Sequence, residues 1–164
     1  MAIEYPLAKI IDIKRKRVDE AERNVKAKEE ALQKELKVLA EKEAERDRVK
    51  QHRDDKLAQL RHEMDTGTTT DKIQQAKVYL KLCQEKVIVE EKKVAEQQEQ
   101  VELAKRNVEV AKKELAQRRQ DVDKLLTHRA DWMKERRKEI EIEEGREQDE
   151  IGSLVFNLRK RRGY

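Results

Sequence analysis

The sequence has few of the residues that interrupt helices or fill compact cores. Its 164 residues include one proline and four glycines, and only 3% are aromatic. Charged residues make up 46% of the chain, which is too polar for a globular core and is typical of long helices exposed to solvent. We therefore expect a protein that acts through its surface.

Cysteine and long apolar runs are also scarce. Cys83 is the only cysteine, so an internal disulfide is excluded and a reducing compartment is favoured. No stretch approaches the ~20 apolar residues that cross a bilayer, and the N-terminal residues do not form a secretory signal. We expect a cytoplasmic protein without a membrane span.

Neither sign of charge dominates. Lysine and arginine number 40 against 36 aspartate and glutamate residues, which leaves a net charge of +4. Because the two signs alternate along the chain, the balance does not indicate a general polyanion binder. We therefore do not expect nucleic acid to be the partner.

Apolar residues recur at intervals of seven in both halves of the chain, and we call these positions the seam. In the second half they are Ile73, Leu80, Val87, Val94, Val101, Val108, Leu115 and Val122. In the first half they are Ile11, Val18, Val25, Leu32 and Leu39. A period of seven keeps one apolar face on the same side of a slightly underwound helix, as in coiled coils. Each half must bury its face against another helix.

The one obvious break between the halves lies at residues 66–70. Gly67 can adopt the left-handed conformation after a helix, and Thr68 or Thr70 can cap the next helix. The sequence predicts an all-α fold with two long helices in an antiparallel coiled-coil hairpin, over residues 1–132. The second helix outlasts the first, so residues 133–164 form a C-terminal helical extension.

The turn also sets which residues face each other. If it centres on Thr68, Arg46 lies opposite Glu90 at a seam layer, and we predict an ion pair between them. Buried polar pairs in coiled coils are best known for fixing register, so this pair is interpreted as structural.

The sequence offers no catalytic constellation. The segment around Gly67 lacks the second glycine and the lysine of a phosphate loop, and the three histidines are not arranged as metal ligands. A two-helix rod also has no closed cleft in which to tune an acid. We predict no enzyme activity, no cofactor and no metal site.

Three sets of apolar residues remain as candidate partner-binding surfaces. The first, which we call the back stripe, lies about 200° around the second helix from the seam and comprises Leu82, Val89, Leu103 and Val110. These are either scattered exposed aliphatic residues or a docking face for another helix or a second copy.

The second set lies where the hairpin opens. Trp132 and Met133 are predicted to meet Ile3, Tyr5 and Leu7, either as a hydrophobic plug or as a partner contact.

The third set, which we call the tail segment, has amphipathic helical spacing and precedes the basic run at 159–162. It comprises Ile151, Leu154, Val155, Phe156 and Leu158. It can bind a groove on a partner, an acidic surface or a membrane face, although basic residues also suit the end of a helix. We favour a partner contact.

The opening segment, YPLAKIIDIKRK from Tyr5 to Lys16, resembles the start of YscO-type proteins. With its hairpin pattern, Pro6 and C-terminal overhang, the whole chain resembles the YscO/FliJ family of type III secretion and flagellar export, and is similar to the chlamydial representative. The resemblance implies a stalk at the cytoplasmic base of the injectisome, similar to the coiled coil of the rotary ATPase gamma subunit. Its implied partners are the hexameric secretion ATPase, the export gate and secretion chaperones.

Two other hypotheses stay open beside this one. The chain could be a scaffold that self-associates through the back stripe, or a nucleic-acid binder that uses the basic tail. For the stalk we expect a monomer rather than a homo-oligomer.

Overall fold

Two long helices account for nearly all of the structure. The computed structural model describes residues 3–163, and in that range helix α1 spans Ala8–Thr66 and helix α2 spans Thr70–Arg161. The described residues contain no strand. The predicted class, an all-α helical hairpin, is confirmed.

The turn between the helices forms where the sequence predicts it. Gly67 has a φ of +94°, a conformation that a side chain would strain, so glycine is suited to this position. Thr66 ends α1, and its Oγ1 donates to the carbonyl of His62 at 3.0 Å. The cap of α2 differs from the prediction: Thr69, rather than Thr68 or Thr70, accepts a hydrogen bond from the backbone N–H of Lys72 at 3.4 Å.

The chain divides into two compact units, each built from parts of both helices. One unit is Glu22–Glu114, and the other, which we call the terminal unit, comprises the chain up to Ala21 and from Leu115 onward. Within Glu22–Glu114 the seam is buried at its centre, whereas Leu32, Leu39, Ile73 and Leu80 are half-buried. The buried apolar residues of this unit are Val25, Leu60, Cys83, Val87, Val94, Val101, Val108 and Ala111. Val87 is the least accessible, with 1% of its surface exposed.

Polar contacts in the Glu22–Glu114 unit show that its helices run antiparallel. Residues progressively later in α1 contact progressively earlier residues of α2. The pairs are Glu29 with Lys112, Glu35 with Gln97, Lys50 with Glu91 and His52 with Tyr79. This order agrees with the predicted register.

The terminal unit is also built from antiparallel parts of both helices, and it has fewer buried apolar residues than the Glu22–Glu114 unit. Its buried apolar residues are Tyr5, Ile11, Ala21, Leu115 and Val122. Lys14 Nζ lies 3.9 Å from Asp121 Oδ2, so here too an early residue of α1 meets a late residue of α2. Both side chains are about a quarter exposed, and we expect a small contribution to stability.

The polar layer inside the hairpin is not the predicted one. Arg46 does not pair with Glu90: Arg46 Nε contacts Asp47 at 3.1 Å, and Glu90 contacts Lys93 at 3.1 Å. Neighbours on the same helix therefore satisfy both charges.

The buried polar residue of the core is instead Gln97, which is 5% exposed. Its Nε2 donates to the Glu35 carbonyl at 3.0 Å and to the Glu35 carboxylate at 2.5 Å. These bonds satisfy the amide N–H groups of Gln97 by contact with the facing helix.

Candidate partner-binding surfaces

The back stripe is about half exposed to solvent. Leu82, Val89, Leu103 and Val110 are 51%, 52%, 50% and 64% exposed, although each lies on a helix whose opposite face is buried. Each of these side chains therefore still has apolar surface that a partner could bury. Single exposed aliphatic residues are common in proteins, but four at intervals of seven residues or its multiple, with one interruption at Glu96, are not required by the fold.

Part of the back stripe borders a groove that sequence analysis did not identify. The groove, which we call the α1–α2 groove, has a volume of about 540 Å³, and its apolar lining includes Val49, Tyr79, Leu82 and Val89. A second depression of about 370 Å³ continues from it along α2, past Tyr79 and Leu82 to Val78 and Gln74. The periodicity of α2 could not reveal this groove, because Val49, which completes its apolar lining, belongs to α1.

Tyr79 is the aromatic residue of this groove. Its hydroxyl lies 2.8 Å from His52 Nε2, and the two rings meet edge to face with centroids 6.0 Å apart. Partial desolvation raises the pKa of Tyr79, and the neighbouring Cys83 thiol raises it further. The phenol therefore stays neutral at physiological pH and offers a hydrogen-bonding group at the edge of an apolar surface.

At the open end of the hairpin, Tyr5 contacts His128 and Trp132 of α2. Tyr5 is 6% exposed, and its ring meets that of Trp132 edge to face with centroids 5.5 Å apart. The Tyr5 hydroxyl is hydrogen-bonded to His128 Nδ1 at 2.5 Å. Trp132 and Met133 are half-buried, as are Ile3 and Leu7. The contacts of Tyr5 agree with a hydrophobic plug, and partner binding by Trp132 and Met133 stays a prediction.

Replacing Tyr5 with phenylalanine is expected to lower the free energy of unfolding by about 1 kcal/mol, because it removes a hydrogen bond from a buried hydroxyl but keeps the ring contacts. Urea denaturation followed by circular dichroism measures the change. Tyr79→Phe is the matched control, since its hydroxyl is also bonded to a histidine but the side chain is 41% exposed. Equal losses in the two variants would contradict the assignment of Tyr5 to the core.

The tail segment is an exposed apolar part of α2. Ile151, Leu154, Val155, Phe156 and Leu158 are between 42% and 66% exposed. The helix continues through Gly145 and Gly152 to Arg161, and the basic residues Arg159, Lys160 and Arg161 occupy its last turn. The basic turn suits the negative end of the helix dipole, while the apolar residues before it remain without cover in the described chain.

Residues 3–163 contain no group of three or more histidine, cysteine or acidic side chains placed to hold a metal ion. Neither helix, in the same range, has an apolar stretch long enough to cross a membrane.

Comparison with known proteins identifies the family. The family described as YscO-like protein matches residues 2–162. A solved structure of a proposed YscO homolog from Chlamydia trachomatis superposes with a TM-score of 0.94 at 42% sequence identity, covering 98% of this chain and 99% of that one. No curated protein matches the chain. The chain therefore belongs to the YscO-like family and is a protein related to type III secretion.

Proposed function

We propose that the chain is a non-catalytic cytoplasmic component of a type III secretion system, located at the cytoplasmic base of the apparatus. In this role it is a stalk that engages the hexameric secretion ATPase and the export gate and binds secretion chaperones. It acts as a monomer whose hairpin is complete by itself, which leaves its outer surfaces available for partners.

The observation that carries this proposal is the exposure of the tail segment. Its five apolar residues lie on a regular helix, all are at least 42% exposed, and the helix ends in a basic turn. Burying a large apolar side chain contributes roughly 1.5 to 3 kcal/mol, so a partner groove that covers several of them gains substantial affinity. The basic turn adds attraction to an acidic partner.

The burial pattern supports a functional boundary near Trp132. Beyond Met133, only Arg136 and Ile140 are half-buried among the described residues, and the remainder are exposed. We accordingly propose that residues 1–132 form the structural hairpin and that residues 133–164 form a helical extension that presents the tail segment to a partner.

Changing Leu154 and Phe156 together to alanine is expected to weaken binding to the cognate secretion ATPase or to a translocator chaperone by at least about tenfold. The two side chains are 62% and 66% exposed, so the substitution removes interface area without opening a cavity in the hairpin. Co-elution of the purified proteins, followed by titration calorimetry of any complex, measures the effect.

Ile142→Ala provides the matched control, because Ile142 is 57% exposed on the same helix but lies outside the tail segment. It should bind as the unchanged protein does. If neither the ATPase nor the chaperone forms a complex at micromolar concentration, the proposed function is wrong. If Ile142→Ala weakens a complex as much as the double variant, the tail segment is not its specific site.

A further inference from the structure

We infer that the α1–α2 groove binds an amphipathic helix of a partner protein whose polar flanks are basic. The inference rests on the proposed function in one respect, that the chain acts by binding other proteins. It adds a second binding surface, separate from the tail segment, and specifies the chemistry of the helix that it accepts.

The apolar lining of the groove has the form of a site for one helix. Leu82 and Val89 are seven residues apart on α2, and Val49 lies across from them on α1. A third helix with apolar residues at a heptad spacing can therefore pack along both helices, as in a three-stranded coiled coil. Leu82 and Val89 are each about half exposed, so they still have apolar surface to bury.

The length of the lined surface sets the length of the bound helix. The groove and the depression that continues it share Tyr79 and Leu82, and together they extend from Gln74 to Glu90. At ~1.5 Å per residue this is about 24 Å, or between four and five helical turns. Four turns supply enough apolar positions to cover Val78, Leu82 and Val89.

The charged residues that line the groove favour a partner helix of positive charge. Three carboxylates, Glu45, Glu85 and Glu90, line it with a single cation, Lys86. A helix with lysine or arginine beside its apolar face is attracted by this excess of negative charge, whereas an acidic helix or a nucleic acid is repelled by it.

Two of these carboxylates already have a cation on their own helix. Arg48 contacts Glu45 at 2.5 Å, and Lys93 contacts Glu90 at 3.1 Å, in both cases at i,i+3 spacing. A carboxylate accepts up to about four hydrogen bonds, so each retains acceptor sites for an incoming cation. No ion pair or hydrogen bond is formed by the Glu85 side chain within residues 3–163.

The inference is tested with two synthetic helices of 17 to 21 residues. Both carry leucine at the a and d positions of the heptad, and their flanking positions are lysine in one and glutamate in the other. Fluorescence anisotropy with the full chain should show the lysine helix binding at least about tenfold more tightly than the glutamate helix. Glu45→Gln, Glu85→Gln and Glu90→Gln combined should reduce this preference to below about threefold and weaken its dependence on salt.

The back stripe provides a matched pair of variants for locating the bound helix. Leu82→Ala with Val89→Ala should weaken binding of the lysine helix by about tenfold or more. Leu103→Ala with Val110→Ala removes the same residue types at the same spacing and similar exposure, but outside the groove, and should change binding less than twofold. Circular dichroism of each variant establishes that the hairpin is intact.

Three results would overturn the inference. The first is equal binding of the two synthetic helices, and the second is equal loss in the two double variants. The third is a chain that dimerises alone in sedimentation experiments, with the dimer lost in Leu154→Asp with Leu158→Asp, since the groove would then hold the tail segment of a second copy.

The peptide assay contains no secretion component, so its outcome is independent of the proposed function. Absence of peptide binding would remove the groove as a site and leave any complex with the ATPase or a chaperone unaffected. Peptide binding without either complex would support the groove and contradict the assigned partners.

Discussion

Replacing Val87 with aspartate is expected to lower the free energy of unfolding by about 3 to 5 kcal/mol, the largest effect that we predict for a single substitution. Val87 is 1% exposed in the seam of the Glu22–Glu114 unit, so the new carboxylate would be buried without a partner. The buried carboxyl group of the aspartate either ionises, which unfolds the surrounding helices, or stays protonated and neutral. Both outcomes lower the free energy of unfolding. Thermal unfolding by circular dichroism and urea titration at neutral pH measure the loss.

Val89→Asp is the control for this prediction. It introduces the same change two residues later on the same helix, at a side chain that is 52% exposed. Its effect on the free energy of unfolding should stay within about 0.5 kcal/mol, as is usual for surface positions. A comparable loss in both variants would mean that the seam does not separate the two faces of α2.

Replacing Gln97 with glutamate is expected to lower the free energy of unfolding by about 2 to 3 kcal/mol. The change removes the two hydrogen bonds that the Gln97 amide donates to Glu35 and places a second carboxylate beside the Glu35 carboxylate, at a position that is 5% exposed. Loss of a bond to a charged group and repulsion between like charges act in the same direction. Urea denaturation at pH 7 in low salt gives the value.

Gln97→Met separates the loss of the hydrogen bonds from the repulsion between the two carboxylates. Methionine has a similar length but neither donates a hydrogen bond nor carries charge, and the half-buried Glu35 can then be solvated from the open side. We expect this variant to be destabilised by about 1 kcal/mol or less. If Gln97→Met lowers the free energy of unfolding as much as Gln97→Glu does, the amide contributes mainly by its hydrogen bonds and the charge repulsion is negligible.

The fold was predictable because its determinants are periodic and local. Apolar residues every seven positions can be buried only along one face of a helix, and Gly67 is the position where a left-handed turn costs least. The structure buries Val87, Val94 and Val101 and turns at Gly67, as expected. The exposure of the back stripe and of the tail segment follows from the same periodicity, because a helix with one buried face leaves its other faces to solvent.

The choice of polar partners was not predictable in the same way. Arg46 and Glu90 face each other in the simplest register, but each has a charged neighbour on its own helix within reach. Exposed pairs of this kind differ in stability by only a few tenths of a kcal/mol, so small differences in side-chain geometry decide between them. Gln97 became the buried polar layer because the Glu35 backbone and side chain both offered it acceptors.

The sequence alone determined which face of each helix is buried and where the chain reverses. The tertiary structure decided which distant residues form a common surface. Val49 and Tyr79 line one groove although 30 positions separate them, and Tyr5 bonds His128 from 123 positions away. Periodicity along one helix fixes the direction of its side chains, but the groove and its charges depend on the axial offset between two helices, which only their packing sets.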